Sequence, residues 1–276
     1  MRGKDHLMLS MATGFLLVSP LLGSDLTTGT TYFIVTLLSG IFIGCLLPDV
    51  DASDAKINHL EGIAWLFGFV MRPLILPIVR FIHIKAGFDF DYRHRQSVHT
   101  IFSIGIYSII LLILSFFILM VTGFWSNFVL VFYLGLFLGG VLHLVEDCCT
   151  VSGLRPFAPI SYRHFSGGIS TTNAREDRPE LFSKIQLFMA AGIIGLGVVF
   201  DISVSLLGMI AVALVGLSWM GIYGFSGTSP KKQKTSQDSV DHTWGSQNEW
   251  YLVRGRKKSS HSTHSRRDVI YHRKKK

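Results

Sequence analysis

The 276-residue sequence has three cysteines, an odd number, and two of them are adjacent. Cys45, Cys148 and Cys149 do not make a disulfide framework, which excludes a small stapled extracellular scaffold. They read as small apolar residues near helix ends. Charge is also scarce: Asp, Glu, Lys and Arg make up 16% of the chain against 49% hydrophobic residues. That balance excludes an ordinary soluble domain. No internal repeat is visible, and no cleavage site follows the first apolar stretch. Residues 7–22 are apolar, but "VSPLLGSDL" is a poor small-residue signal, so the stretch reads as a membrane helix.

What is present in quantity is uncharged chain of bilayer length. About 20 apolar residues cross the hydrocarbon core, and residues 100–122 and 202–225 contain no Asp, Glu, Lys or Arg. The predicted fold class is an all-α, polytopic membrane helical bundle. Its spans are residues 7–22, 31–47, 100–122, 124–145, 185–200 and 202–225. A seventh apolar stretch, residues 62–84, carries Arg72, Pro73, Pro77 and Arg80 in its middle. Proline breaks a helix and mid-bilayer arginine is costly. The stretch is therefore expected to be a broken re-entrant or interfacial helix pair.

Six spans place all 26 Lys and Arg on one side. The loops at residues 23–30, 123 and 201 hold none. The positive-inside rule makes the charged side cytoplasmic, with both termini there. Residues 1–225 form the expected membrane domain and residues 226–276 a basic tail, which holds 13 of the 26 cations. The tail reads as disordered. Its partners would be anionic lipid headgroups or a protein, or nucleic acid bound non-specifically, beside the plain reading of a solvated topology signal.

Polar residues from four helix ends meet at the cytoplasmic level. "DH" (Asp5, His6) opens the first span and "PDVD" (Asp49, Asp51) closes the second. "RHRQSVH" (His94, His99) opens the third and "HLVED" (His143, Glu146, Asp147) closes the fourth. His143 and Asp147 are four apart, so they share a helix face and can reach one metal. Imidazole with carboxylate suits zinc, manganese or iron better than magnesium or calcium. A hydrolytic metal lowers the pKa of bound water and supplies a nucleophile. Each piece alone has a plain alternative, a polar helix end or a helix-ending turn; convergence is what points to a site. His59, His83 and His164 lack a partner at useful spacing and read as surface or interfacial residues.

At these residues the chain resembles the YdjM family of LexA-regulated, inner-membrane metal-dependent hydrolases. The resemblance rests on His6 before a small-residue helix, "LLPDVD", "HRQSVHT" and "GGVLHLVEDCCTVSGLRPFAPIS", and covers roughly residues 1–165. Val98 departs from the family's Thr, and the last helix pair and tail lie outside the core pattern. The resemblance implies a divalent metal, zinc first and with room for more than one ion, held by His6, Asp49, Asp51, His94, His99, His143 and Asp147. It implies a bacterial inner-membrane location and phosphodiesterase-like hydrolysis. Arg95 would contact phosphate, or alternatively pair with Asp91; Glu146 would act as general base or be a helix-end carboxylate. Two rival classes are a transporter and a non-catalytic scaffold with a structural metal and a recruiting tail. Transporters place ionisable groups near the midplane, and the middles of all six spans here lack Asp, Glu, His, Lys and Arg.

Overall fold

A computed structural model describes residues 3–24, 26–51, 75–88, 97–161, 163–170, 173 and 176–231. Among these the chain is all-α, with seven α-helices: α1 (Gly3–Leu22), α2 (Thr28–Gly44), α3 (Leu76–Lys85), α4 (Ile101–Thr122), α5 (Phe128–Cys148), α6 (Arg178–Phe200) and α7 (Val204–Phe225). A 3-10 turn, Pro48–Asp51, follows α2. Five helices, all but α2 and α3, are long and apolar enough to cross a membrane, and α2 is a shorter apolar helix of 17 residues. At about 1.5 Å per residue, α2 is close to the lower limit of a span. One feature departs from pure α: β1 (His164–Ser166) pairs antiparallel with β2 (Ser229–Lys231).

Element ends shift from the expected ones for local reasons. Helix α1 starts four residues early and takes in Asp5 and His6. Helix α6 starts at Arg178, with Pro179 in its first turn, where a missing N–H costs nothing. Its polar start is reinforced by Lys184 and Glu180, 2.7 Å apart one turn away. Thr100, not His99, caps α4: its hydroxyl accepts from the Ser103 N–H at 3.1 Å. Of the stretch 62–84, the residues from Ile75 on are described, and they form α3 behind a proline in the first turn. The half containing Arg72 and Pro73 lies outside the described residues, as does the tail beyond residue 231.

Lipid is as apolar as leucine, so close approach and polar ties, not apolar burial, select helix partners. Helices α2 and α5 run parallel through two Gly-x-x-x-Gly pairs. A Cβ on Gly40 or Gly44 would collide with the Phe132 or Leu136 carbonyl of α5, and one on Gly135 or Gly139 with the Leu37 or Ile41 carbonyl of α2. Helix α1 runs parallel to α6 through a side-chain chain instead. Thr13 Oγ1 donates to Gln186 Oε1 (3.0 Å), and Gln186 Nε2 donates to Ser218 Oγ on α7 (2.9 Å). Helices α4 and α5 are antiparallel: Gly140 faces Tyr107, and Tyr133 faces Ser115. Directions therefore alternate along the bundle. The C-terminus of α2 and the N-termini of α1 and α4 meet the C-terminus of α5 at one end.

Candidate metal centre

Each of the four helix ends delivers one part of a buried cluster. His6 lies in the second turn of α1, Asp49 in the 3-10 turn, His99 just ahead of α4, and His143, Glu146 and Asp147 in the last turns of α5. His6, His99, His143, Glu146 and Asp147 are all 0% exposed. The Asp49 side chain, at 22%, is the more open member. Proline starts the turn that carries Asp49, which ends α2 and aims the carboxylate across at α5.

The imidazoles are oriented from behind. His143 Nδ1 donates to the Cys45 carbonyl at 2.7 Å. That carbonyl can only accept, so the proton sits on Nδ1 and Nε2 faces the cluster. His6 Nδ1 donates to Glu146 Oε2 at 2.5 Å, and the other Glu146 oxygen accepts from Ser10 Oγ at 2.8 Å. The two rings stack with centroids 4.1 Å apart, and His99 lies tilted at 5.6 Å from His143.

In front, His143 Nε2 lies 3.5 Å from both Asp49 Oδ1 and Asp147 Oδ2, and His6 Nε2 lies 3.6 Å from Asp147 Oδ1. His99 Nε2 lies 3.2 Å from Asp49 Oδ1. Two overlapping sets, His6–Asp49–His143 and His99–His143–Asp147, each hold their ligand atoms within 4.8 Å of one another. The donor set fits a divalent transition metal. His6 Nε2 and His143 Nε2 are buried and make no hydrogen bond. An orphaned buried ring nitrogen is costly, and a cation among these nitrogens and carboxylates would satisfy both.

Of the nine candidates, six meet here: His6, Asp49, His99, His143, Glu146 and Asp147. Asp51 ends the 3-10 turn, with its side chain outside the described residues, as are His94 and Arg95. One expectation needs correction. His83 is not a surface residue: it is 2% exposed, hydrogen-bonds the Val79 carbonyl through Nδ1 at 2.9 Å, and meets Ser103 Oγ at 3.4 Å. A histidine four residues after a carbonyl on its own helix can find a partner that spacing to other histidines does not reveal. Ser10 was missed as well. It sits four residues after His6, on the same face, and that spacing was readable.

The segment after α5 turns back to the start of α4. Thr150 Oγ1 donates to the Asp147 carbonyl (2.7 Å) and accepts from the Gly153 N–H (3.2 Å). Gly153 has φ 59°, the left-handed region that favours glycine. The Pro156 carbonyl then accepts from the Ile101 N–H at 2.9 Å, beside His99 and Thr100. The Thr, Gly and Pro that follow the His-x-x-x-Asp motif are thus a hydrogen-bonded turn joining α5 to the start of α4.

Helices of membrane length with a polar centre at one end define a membrane protein. The YdjM inner membrane protein family matches residues 1–227, and the chain belongs to that family. The match takes in α6 and α7, so the last helix pair is part of the family's unit, contrary to the sequence expectation; residues beyond 227 lie outside it. Comparison with curated proteins and with solved structures gives no match.

Proposed function

We propose that the cluster binds a divalent transition metal, zinc first, and that the protein is a membrane-bound, metal-dependent hydrolase of phosphoester bonds at the cytoplasmic face. One observation carries this reading: three imidazoles and two carboxylates from four helix ends converge, with the Nδ1 atoms of His6 and His143 anchored from behind. When bound, the metal would supply Lewis acidity and lower the pKa of water. His6, Asp49, His99, His143 and Asp147 would hold it. Glu146 is a positioning residue, since both its oxygens are used by His6 and Ser10. The more exposed Asp49 marks the side from which substrate reaches the centre.

The topology that goes with this function is multi-pass, with both termini cytoplasmic. It is supported by the alternating helix directions and by the absence of Lys and Arg from the turns at residues 23–27, 123–127 and 201–203. The complete burial of five members of the cluster favours a second reading, a structural metal in a non-catalytic scaffold. Zinc content and turnover on a panel of phosphodiesters and phospholipids, for wild type and Asp147→Ala, separate the two. The hydrolase loses metal and turnover while still inserting. The scaffold fails to assemble without its ligand and turns over nothing when metal-loaded.

A further inference from the structure

Two tyrosines in the seam between α4 and α5 differ in one respect. The Tyr133 hydroxyl meets Ser115 Oγ at 2.5 Å. Tyr107 is 0% exposed, and its hydroxyl makes no hydrogen bond. Gly140 marks where that hydroxyl lies: a Cβ there would stand 3.2 Å from the hydroxyl oxygen and 2.9 Å from Ile104. Gly140 precedes His143 by three residues on α5, about 4.5 Å along the axis. Helical side chains lean toward the N-terminus of their own helix. Helices α4 and α5 are antiparallel, and α4 begins at the cluster. Tyr107 therefore leans toward the cluster, while the His143 ring leans back over the Gly140 turn. The two meet at one level. The Cys45 carbonyl holds His143 Nδ1 from the α2 side at 2.7 Å, so Tyr107 approaches from the α4 side. The Asp49 carboxylate is within electrostatic range of its hydroxyl.

A buried hydroxyl with no partner is costly, and no nitrogen or oxygen of the protein takes this proton. The acceptor that fits is an oxygen brought in by a ligand. Phosphate and phosphoesters present several such oxygens, and a hydrogen bond to a charged acceptor is stronger than one to a neutral group. An uncharged donor also suits the depth, because a lysine or arginine about two turns into a span would be expensive. We infer that Tyr107 is a ligand-binding residue whose hydroxyl donates to a phosphoryl oxygen seated at the cluster. The inference rests on the metal-dependent phosphoester reading above and adds a residue that no motif marks. Asp49 stands at the more open side of the cluster, and Tyr107 at its floor, toward the middle of the bundle.

The test compares the full chain with Tyr107→Phe, which removes one oxygen and leaves the ring. Three quantities are measured in detergent: Tm of the metal-free protein, zinc affinity, and the affinity of the zinc-loaded protein for inorganic phosphate by calorimetry. Metal-free Tm should stay the same or rise, since the lost hydroxyl had no partner. Zinc affinity should be unchanged. Phosphate should bind about 10-fold or more weakly, the loss that follows removal of a hydrogen bond to a charged group. A metal-free variant less stable than wild type would show that the protein itself uses the hydroxyl, and would overturn the inference. Phosphate that binds the variant as tightly as wild type, or that fails to bind zinc-loaded wild type, would overturn it too, and would leave the metal assignment standing. A wild type that takes up no zinc would sink that assignment and this inference with it.

Discussion

Two parallel helix seams in this bundle are built on opposite principles. Helices α2 and α5 meet backbone to backbone, through Gly40, Gly44, Gly135 and Gly139. Helices α1 and α6 meet through the Thr13–Gln186–Ser218 chain. The glycine seam brings the Cys45 carbonyl within 2.7 Å of His143 and carries cluster residues at its end. The polar seam attaches α6 and α7, which contribute no member of the cluster, to α1, which carries His6. Where the proposed metal ligands would have to be aimed to within a fraction of an ångström, the helices touch with no side chain between them. Where one pair is only held beside another, hydrogen bonds suffice.

Breaking the glycine seam should have the largest effect. Gly139→Val places a side chain into the Ile41 carbonyl, backbone that cannot turn aside. It should cost about 3 kcal/mol or more and remove metal binding together with the fold, seen as a lowered Tm in detergent and loss of zinc. His143→Ala should lose the metal while helicity and insertion persist, because the seam next to it is intact; circular dichroism beside metal analysis checks the split. Glu146→Gln should weaken zinc affinity by about 10- to 100-fold without abolishing it, the usual loss for a group behind a ligating histidine; competition with a chromophoric chelator measures it.

The polar seam should be more forgiving. Gln186→Leu removes hydrogen bonds that in membranes are worth about 0.6 kcal/mol each on average, because the separated helices also find partners. It should lower Tm by a few degrees and leave zinc content unchanged. The smallest effect is at the polar start of α6. Arg178 holds the Glu176 carboxyl down, from 4.5 to about 2. Its folded pKa is depressed, so its contribution is present above the ordinary carboxylate range and is lost as pH falls from about 4.5 toward 2. Screened by solvent, that contribution is under about 1 kcal/mol. Glu176→Gln should flatten the acid limb of a Tm–pH curve by that amount.

The sequence made the helices and the level of the cluster legible because both depend on local pattern. Uncharged runs of bilayer length mark spans, and alternating spans force His6, Asp49, His99 and His143 to one end. The i, i+4 pair His143–Asp147 could be read off directly. Orientation could not. That His143 turns Nε2 inward depends on Cys45, 98 residues away in sequence, and on two glycine motifs whose pairing is a tertiary fact. Each of those motifs was visible on its own helix, but nothing local says that they face each other. Glu146 shows the same limit. Next to Asp147 it reads as a general base or a helix end, and only its contacts with His6 and Ser10 reveal a group that holds another in place.

The central claim is that the convergent imidazoles and carboxylates hold a metal. Zinc K-edge X-ray absorption on purified, zinc-replete protein tests it most directly. A first shell of nitrogen and oxygen at about 2.0–2.2 Å, with imidazole outer scattering that disappears in His143→Ala, is the predicted result. A wild type that retains no zinc, or zinc whose spectrum is unchanged by His143→Ala, would contradict it.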